Sequence, residues 1–306
     1  MNAGLTTRSE PVPARQPHCV TPSGLSQNRI TAAMQFCFEM DVAALKPGNV
    51  HRYADGHAMT VNDFLTSAGV SVPVLADPAR TVAARILAAA TATREAVGCN
   101  TNLGMLLLFA PLAAAAAEVE PAQLQARVTE IVQQMDVTAA ADIYAAIRLA
   151  QPGGLGDSDV HDVASAAEVD VITAMCAAQH RDRIAWQYAN GFANVFGEAL
   201  NVLRQRNQCW QSVEWALVAC YLSLLTHNAD SHVARKHGEA VACKVQQQAG
   251  AVLTQFIKYN KPEEATSLLR NFDLTLKAEG INPGTSADLA AACLLVHEFE
   301  RLHGKR

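Results

Sequence analysis

The sequence predicts an all-α protein: a single compact multi-helix domain of about ten helices. Three observations carry that expectation. Apolar residues recur at spacings of three and four almost throughout the chain after residue 25. No stretch alternates apolar and polar residues as a half-buried strand would, and no pair of such stretches flanks an Asn-Gly turn. The composition is 50% hydrophobic but only 6% aromatic and 17% charged, with the apolar mass in Ala, Leu and Val, which suits close-packed helices.

Residues 1–25 carry Pro11, Pro13, Pro17 and Pro22 among small polar residues and read as a flexible tail without a signal-peptide apolar run. The helical domain follows over 26–306. Ile30, Met34, Cys37 and Phe38 mark its first helix, which Lys46-Pro47-Gly48 ends. Thr60 to Asp63 has the form of a capping box and opens a helix through Phe64 and Leu65. Residues 79–97 are Ala-rich, with Arg85, Arg94 and Glu95 along them. The most apolar run, Leu103 to Ala117, is shorter than the roughly 20 residues of a membrane span and contains Gly104 and Pro111. It reads as a buried central helix. Pro121 starts a segment through Leu124, Val128, Ile131 and Val132. Further helical stretches cover 138–150, about 160–178, about 183–205, 211–227 and 233–257. Pro262 with Glu263 and Glu264 marks another start. Thr285 to Asp288 opens the last helix, to about Leu302.

Composition excludes several functions. The apolar content rules out wholesale disorder, and a formal net charge of −5 argues against a general nucleic-acid binder. No membrane association is expected. The eight cysteines stand singly with no Cys-x-x-Cys, as free buried thiols in a reducing cytoplasm would. A homodimer is the default assembly.

Charge is scarce, and much of it gathers at breaks between helices. Five polar islands stand out: Lys46 to Arg52, Asp55 to Asp63, Gly98 to Gly104, His227 to Gly238, and Asn282 to Asp288. Lys46, His51, Arg52, Arg235 and Lys236 could neutralise phosphates. Asp55, Asp63, Asp230 and Asp288 are oxygen donors of the kind Mg²⁺ prefers. Asp63 and Asp288 also fit cap positions, whereas Asp230 sits in a polar break beside two histidines and reads as a metal ligand or phosphate organiser. Glu39 on an apolar helix reads as a site-facing carboxylate. Asn100 and Asn102 either cap the most apolar helix or hydrogen-bond a substrate. Gly153-Gly154-Leu155-Gly156 follows no strand, so it is no dinucleotide turn.

Glu39 and the segment Leu45 to His51 are similar to a glutamate and a Pro-Lys-Pro-Gly-x-Val-Asp element of one known family. Gly56-His57-Ala58-Met59, Asp63-Phe64 and Ser67 resemble its Gly-Ala-His-x-Asp-Met element and the Phe and Ser that follow. Asn100-Thr101-Asn102-Leu103-Gly104 answers Asn-Thr-His-Lys-Gly. Asp230-Ser231-His232, Arg235 or Lys236, and Gly238 answer Asp-Thr-Asn-x-x-x-Arg-x-Gly. Asn282 to Leu289 is close to Ser-Pro-Gly-Gly-Ser-Ala-Asp-Leu. In this order, over about residues 30–297, the chain resembles a divergent branch of the triphosphoribosyl-dephospho-CoA synthase family.

The resemblance implies an all-α pentosyltransferase with ATP as substrate and Mg²⁺ beside the triphosphate. The 2′-hydroxyl of 3′-dephospho-CoA attacks C1′ of the ATP ribose, and adenine leaves. It implies catalytic roles for Asp230, Glu39 and Asp63, and a metal set of Asp230, Asp63 and Asp288. It also implies nucleotide contacts from Lys46, Gly48, His51, Arg52, His57, Asn100, Asn102, Arg235, Lys236, Gly284 and Ser286. The departures fall at chemistry-bearing positions. Asn102-Leu103 replaces His-Lys, and His51 stands where Asp is usual. Two alternatives follow: ribosyl or phosphoribosyl transfer to a hydroxyl in the assembly of a tetrahydromethanopterin-type cofactor, and a non-catalytic nucleotide-binding or assembly protein.

Overall fold

The computed structural model describes residues 24–156 and 158–304. The expected tail, apart from Gly24 and Leu25, lies outside the described residues. Leu25 is already packed into the domain: it is buried, and its N–H donates to Ala116 O at 2.8 Å.

Fourteen α-helices follow: α1 (Gln27–Ala43), α2 (Val61–Leu75), α3 (Val82–Val97), α4 (Leu103–Ala116), α5 (Leu124–Gln133), α6 (Val137–Ala150), α7 (Val171–Ala178), α8 (Arg183–Ala189), α9 (Glu198–Trp210), α10 (Val213–His227), α11 (Ser231–His237), α12 (Glu239–Phe256), α13 (Thr266–Ala278) and α14 (Gly284–His303). Two 3₁₀ turns, Pro121–Gln123 and Pro262–Ala265, lead into α5 and α13. Among the described residues there is no strand, only two isolated bridges, His51 with Ala54 and Gly56 with Met59. The all-α expectation therefore holds, while the count of about ten is too low.

The extra helices arise where the sequence reading ran across a break. The stretch 183–205 divides into α8 and α9 because Gly191 and Phe192 both take positive φ, 58° and 57°. The stretch 233–257 divides at Gly238, whose φ of 90° ends α11. The stretch 160–178 is helical only from Val171, after Asp170 caps α7 through Thr173 N at 2.8 Å.

A helix that is apolar all round must be buried on all sides. Accordingly every residue of α4 except Ala114 is buried, and Trp215 to Leu225 of α10 are buried without interruption. α14 packs on α1, α4 and α10 and completes this centre. The amphipathic helices wrap around it, α3 with α2 and α6, and α12 with α10 and α11. No described helix is long and apolar enough to cross a membrane. Cys37, Cys220 and Cys293 are buried, but Cys176, Cys209 and Cys243 are exposed, so burial of the thiols is only partial.

Candidate active site

The ends of these helices converge on a cavity of about 230 Å³. Its walls come from α1, α2, α4, α6, α7, α8, α11, the start of α14 and the loop after α6. Ligand pockets usually run to about 300–1,000 Å³. One wall is apolar, with Tyr144, Ile147, Val160, Val163, Ala174 and Met175. The rest of the lining carries the polar side chains.

That polar floor begins on α1. Residues 30, 33, 34, 37, 38, 41 and 42 form the buried stripe of the helix, and Asp41 is its one acid. Asp41 lines the cavity and is ion-paired with Lys46, which is 0% exposed. Lys46 itself is not among the lining residues. Asp288 of α14 lines the same floor. Burial, and then the charge of Asp41, push its carboxyl well above the usual range, while Lys46 pulls the other way. Gly104 makes room for it: a Cβ there would lie 2.0 Å from Asp288 Oδ2 and 2.7 Å from Ile184 Cδ1.

Asn102 occupies the N-cap position of α4 but makes no side-chain capping bond. Its amide donates to Thr93 Oγ1 at 3.1 Å and Ser71 Oγ at 3.3 Å, inside a buried hydroxyl network. Asn100 does the capping, accepting from Leu103 N at 3.1 Å. Both asparagines line the cavity.

The rim is basic. Asp182 caps α8, accepting from Ile184 N and Ala185 N at 2.9 Å each, and also accepts from Arg235 Nη1 at 2.5 Å. Arg235 Nε is buried with no partner, as is Asn282 Oδ1, and both residues line the cavity. Buried polar atoms without partners are uncommon, and at a cavity they are positioned for a ligand. His232 also lines it, against Gly284, where a Cβ would lie 2.8 Å from His232 Nδ1. Burial, and then Arg235 and Lys236, lower the His232 imidazole to about 4, so it is neutral at pH 7. Lys236 lies over the loop after α6, 3.4 Å from where a Gly153 Cβ would be.

The remaining expected residues lie away from the cavity. Asp230, expected in a polar break without a capping role, is the N-cap of α11. Its Oδ1 accepts from His232 N at 2.9 Å and Val233 N at 3.1 Å. Its Oδ2 accepts from Ser286 N and Ser286 Oγ, both at 2.7 Å, tying α11 to α14. Glu39 is exposed and accepts from Gln35, being about 200° around the helix from Asp41. Asp63 is half-buried and completes the capping box of α2 with Thr60. His51 is buried against Asp273, 3.3 Å away, with Lys277 Nζ 3.4 Å from the same nitrogen. Gly48 joins them, donating to Asp273 Oδ1 at 2.8 Å. Burial alone would raise the Asp273 carboxyl, but His51, the Gly48 N–H and Lys277 hold it below the usual range. Gly48 has φ 87°, and a Cβ there would meet Pro283 Cδ at 2.7 Å. His57 Nε2 is 2.8 Å from Gly48 O. Arg52 pairs with Glu214 at 2.6 Å.

The expected metal trio does not fit a resident ion. Asp63 and Asp230 are committed to helix starts, and only Asp288 faces the cavity. Among the described residues no group of three His, Cys, Asp or Glu side chains could hold a metal ion.

Sequence reasoning missed Asp41, Asn49, Asp182 and Arg181, all of which line the cavity. The signal for Asp41 was present: it continues the 34, 37, 38 spacing, which Glu39 breaks.

The structure defines an all-helical protein whose helix ends enclose a cavity lined by Asp41, Asp182, Asp288, His232 and Arg235. The chain belongs to the ATP:dephospho-CoA triphosphoribosyl transferase (CitG) family, whose model matches residues 27–306. Proteins of two Vibrio cholerae serotype O1 strains, M66-2 and ATCC 39315, each named "Probable 2-(5''-triphosphoribosyl)-3'-dephosphocoenzyme-A synthase", are 34% identical over 116 residues. That stretch is 37% of this chain and 36% of theirs, so the chain matches about a third of the length of these curated relatives. A crystal structure from Archaeoglobus fulgidus, assigned as a triphosphoribosyl-dephospho-CoA synthase, superposes with a TM-score of 0.62 at 22% identity. It covers 77% of this chain and 98% of that one, and shows that the fold is shared.

Proposed function

We propose that the protein catalyses ATP-dependent ribosyl transfer, converting 3′-dephospho-CoA and ATP to 2′-(5″-triphosphoribosyl)-3′-dephospho-CoA and adenine. The observation that carries this reading is the convergence of three family-like segments, around Lys46, Asn100 and Asp288, on one carboxylate-floored cavity. Cleavage of a ribosyl C–N bond builds positive charge on the sugar, and nearby carboxylates stabilise such a centre. Asp41, which lines the cavity and is ion-paired with Lys46, would take that role. Arg235 in the lining, with its unpartnered Nε, and Lys236 beside the lining residue Gly153 would neutralise the phosphates. The apolar wall suits a flat base. Mg²⁺ would enter with the triphosphate as part of the substrate. The free thiols support a cytoplasmic setting.

Incubation with ATP, Mg²⁺ and dephospho-CoA should release adenine and yield the triphosphoribosylated product by mass spectrometry. Absence of adenine release with this acceptor would refute the acceptor assignment. A second reading is transfer to another hydroxyl acceptor, such as a ribitol-bearing precursor of a tetrahydromethanopterin-type cofactor. The observation favouring it is Asn102-Leu103: both line the cavity, and neither supplies the base or cation of a His-Lys pair. Adenine release with that acceptor alone would establish it. ATP binding without turnover on either acceptor would point to a non-catalytic nucleotide-binding protein.

A further inference from the structure

We propose that Lys46 is a positioning residue that fixes the Asp41 carboxylate against the reacting ribosyl carbon, and that it does not bind phosphate. The inference rests on ribosyl transfer as the activity and assigns the residues beneath the sugar.

Lys46 is the most buried charged residue of the polar islands. It is 0% exposed, while its partner Asp41 is 6% exposed and borders the cavity. Among the described residues the ammonium bonds to no side chain but that of Asp41, from the turn that follows α1. Arg235 and His232 line the cavity and Lys46 does not, so a phosphate held in the cavity has those side chains to meet rather than the ammonium. Asp41 therefore stands between Lys46 and any ligand.

The arrangement restricts what Asp41 can do. Its backbone sits in the last turn of a helix buried against α2, α4 and α14. An ammonium behind it removes the freedom of the carboxylate to rotate away. The charges acting on Asp288 are those of Asp41, Asp230 and Asp182, with Lys46 the cation among them. A site that must stabilise a sugar cation gains from a fixed anion, because the charge is placed before the reaction and needs no reorganisation. In the transfer, the acceptor oxygen bonds to C1′ as the C1′–N bond to adenine breaks. The electron pair leaves with the base, which takes up a proton from solvent. The acceptor proton goes to Asp41 and from there to water.

The test measures kcat and KM for ATP, ATP affinity by calorimetry, and Tm for Lys46→Met, Lys46→Arg, Asp41→Asn and the double variant Asp41→Asn/Lys46→Met. Lys46→Met should lower kcat at least 30-fold, with KM and Kd for ATP within threefold of wild type. Lys46→Arg should recover part of kcat. The double variant should be no slower than Asp41→Asn alone and should melt higher than Lys46→Met, because it leaves no unpaired buried charge. The proposal is overturned if ATP affinity or KM weakens tenfold with kcat retained, or if the double variant melts no higher than Lys46→Met. If Lys46→Met does not fold, the double variant decides: it must fold and match Asp41→Asn in ATP affinity, and weaker affinity overturns the proposal. If wild type shows no ribosyl transfer, the activity reading fails separately and the catalytic placement of Asp41 falls with it.

Discussion

Replacement of Asp230 by alanine separates scaffold from site most sharply. Its carboxylate accepts four hydrogen bonds, two inside α11 and two from Ser286. Loss of an N-cap costs about 1 kcal/mol. Leaving the buried Ser286 N–H and hydroxyl without an acceptor adds about 1–3 kcal/mol. Relief of the buried charge offsets some of this, since burial, ahead of the opposing Ser286 bonds, raises the Asp230 carboxyl. A net loss of about 3 kcal/mol lowers Tm by roughly 5 °C in a chain of 306 residues, at about 2.1 cal/mol/K of unfolding entropy per residue. Asp230→Asn keeps an acceptor for the cap but turns an amide toward Ser286 N–H, so it should lose about half as much. Thermal unfolding followed by circular dichroism measures both. A Tm within about 2 °C of wild type, together with lost turnover, would refute the scaffold assignment and return Asp230 to the reacting centre.

Three further variants test the site and its surroundings. Gly104→Ala must displace the Asp288 carboxylate or Ile184, so adenine release should fall at least tenfold, and unchanged activity would show that Asp288 is not needed where it stands. His232 stays neutral down to about 4, whereas an unfolded histidine takes its proton near 6.5. Stability should therefore fall as pH drops through that window, by about 2 kcal/mol at pH 5 relative to pH 7. His232→Gln should remove that part of the urea-measured loss, and an equal loss in both proteins would contradict the assignment. Asp273 has a lowered folded value, so its contribution is present above the unfolded pKa and disappears as pH falls through the folded one. Asp273→Asn should lower Tm at pH 7, with the gap to wild type narrowing as pH falls below the ordinary carboxylate range, and a constant gap would count against the His51–Asp273–Lys277 cluster.

The fold was legible because helices announce themselves locally. The Thr60–Asp63 capping box, the apolar run of α4 and the start of α14 were all readable from a few neighbouring residues. What failed were breaks made by backbone conformation. Phe192 is an unremarkable apolar residue in the pattern, yet it takes φ 57° beside Gly191 because the chain must turn there to bring α9 back onto α10. No periodicity records a positive φ at phenylalanine.

The site was legible as segments and not as side chains. Island residues such as Lys46, Asn102, Arg235 and Asp288 do gather near one cavity, yet three of the acids weighted most heavily, Asp230, Asp63 and Glu39, do not face it. An acid at a helix start is ambiguous in sequence, because the same carboxylate that could bind a ligand can cap an N-terminus. Asp63 and Asp230 took the cap, while Asp288, also suspected as a cap, is left to the cavity by Pro283 at the N-cap position of α14. Helical phase offers a better discriminator. On α1 the acid at apolar phase, Asp41, is the one held inside by a buried lysine, and the acid out of phase, Glu39, reaches solvent. Burying an ionisable pair costs solvation that packing alone does not return. Where a chain this poor in charge places two of its charges together at the edge of a cavity, chemistry there is a stronger explanation than stability.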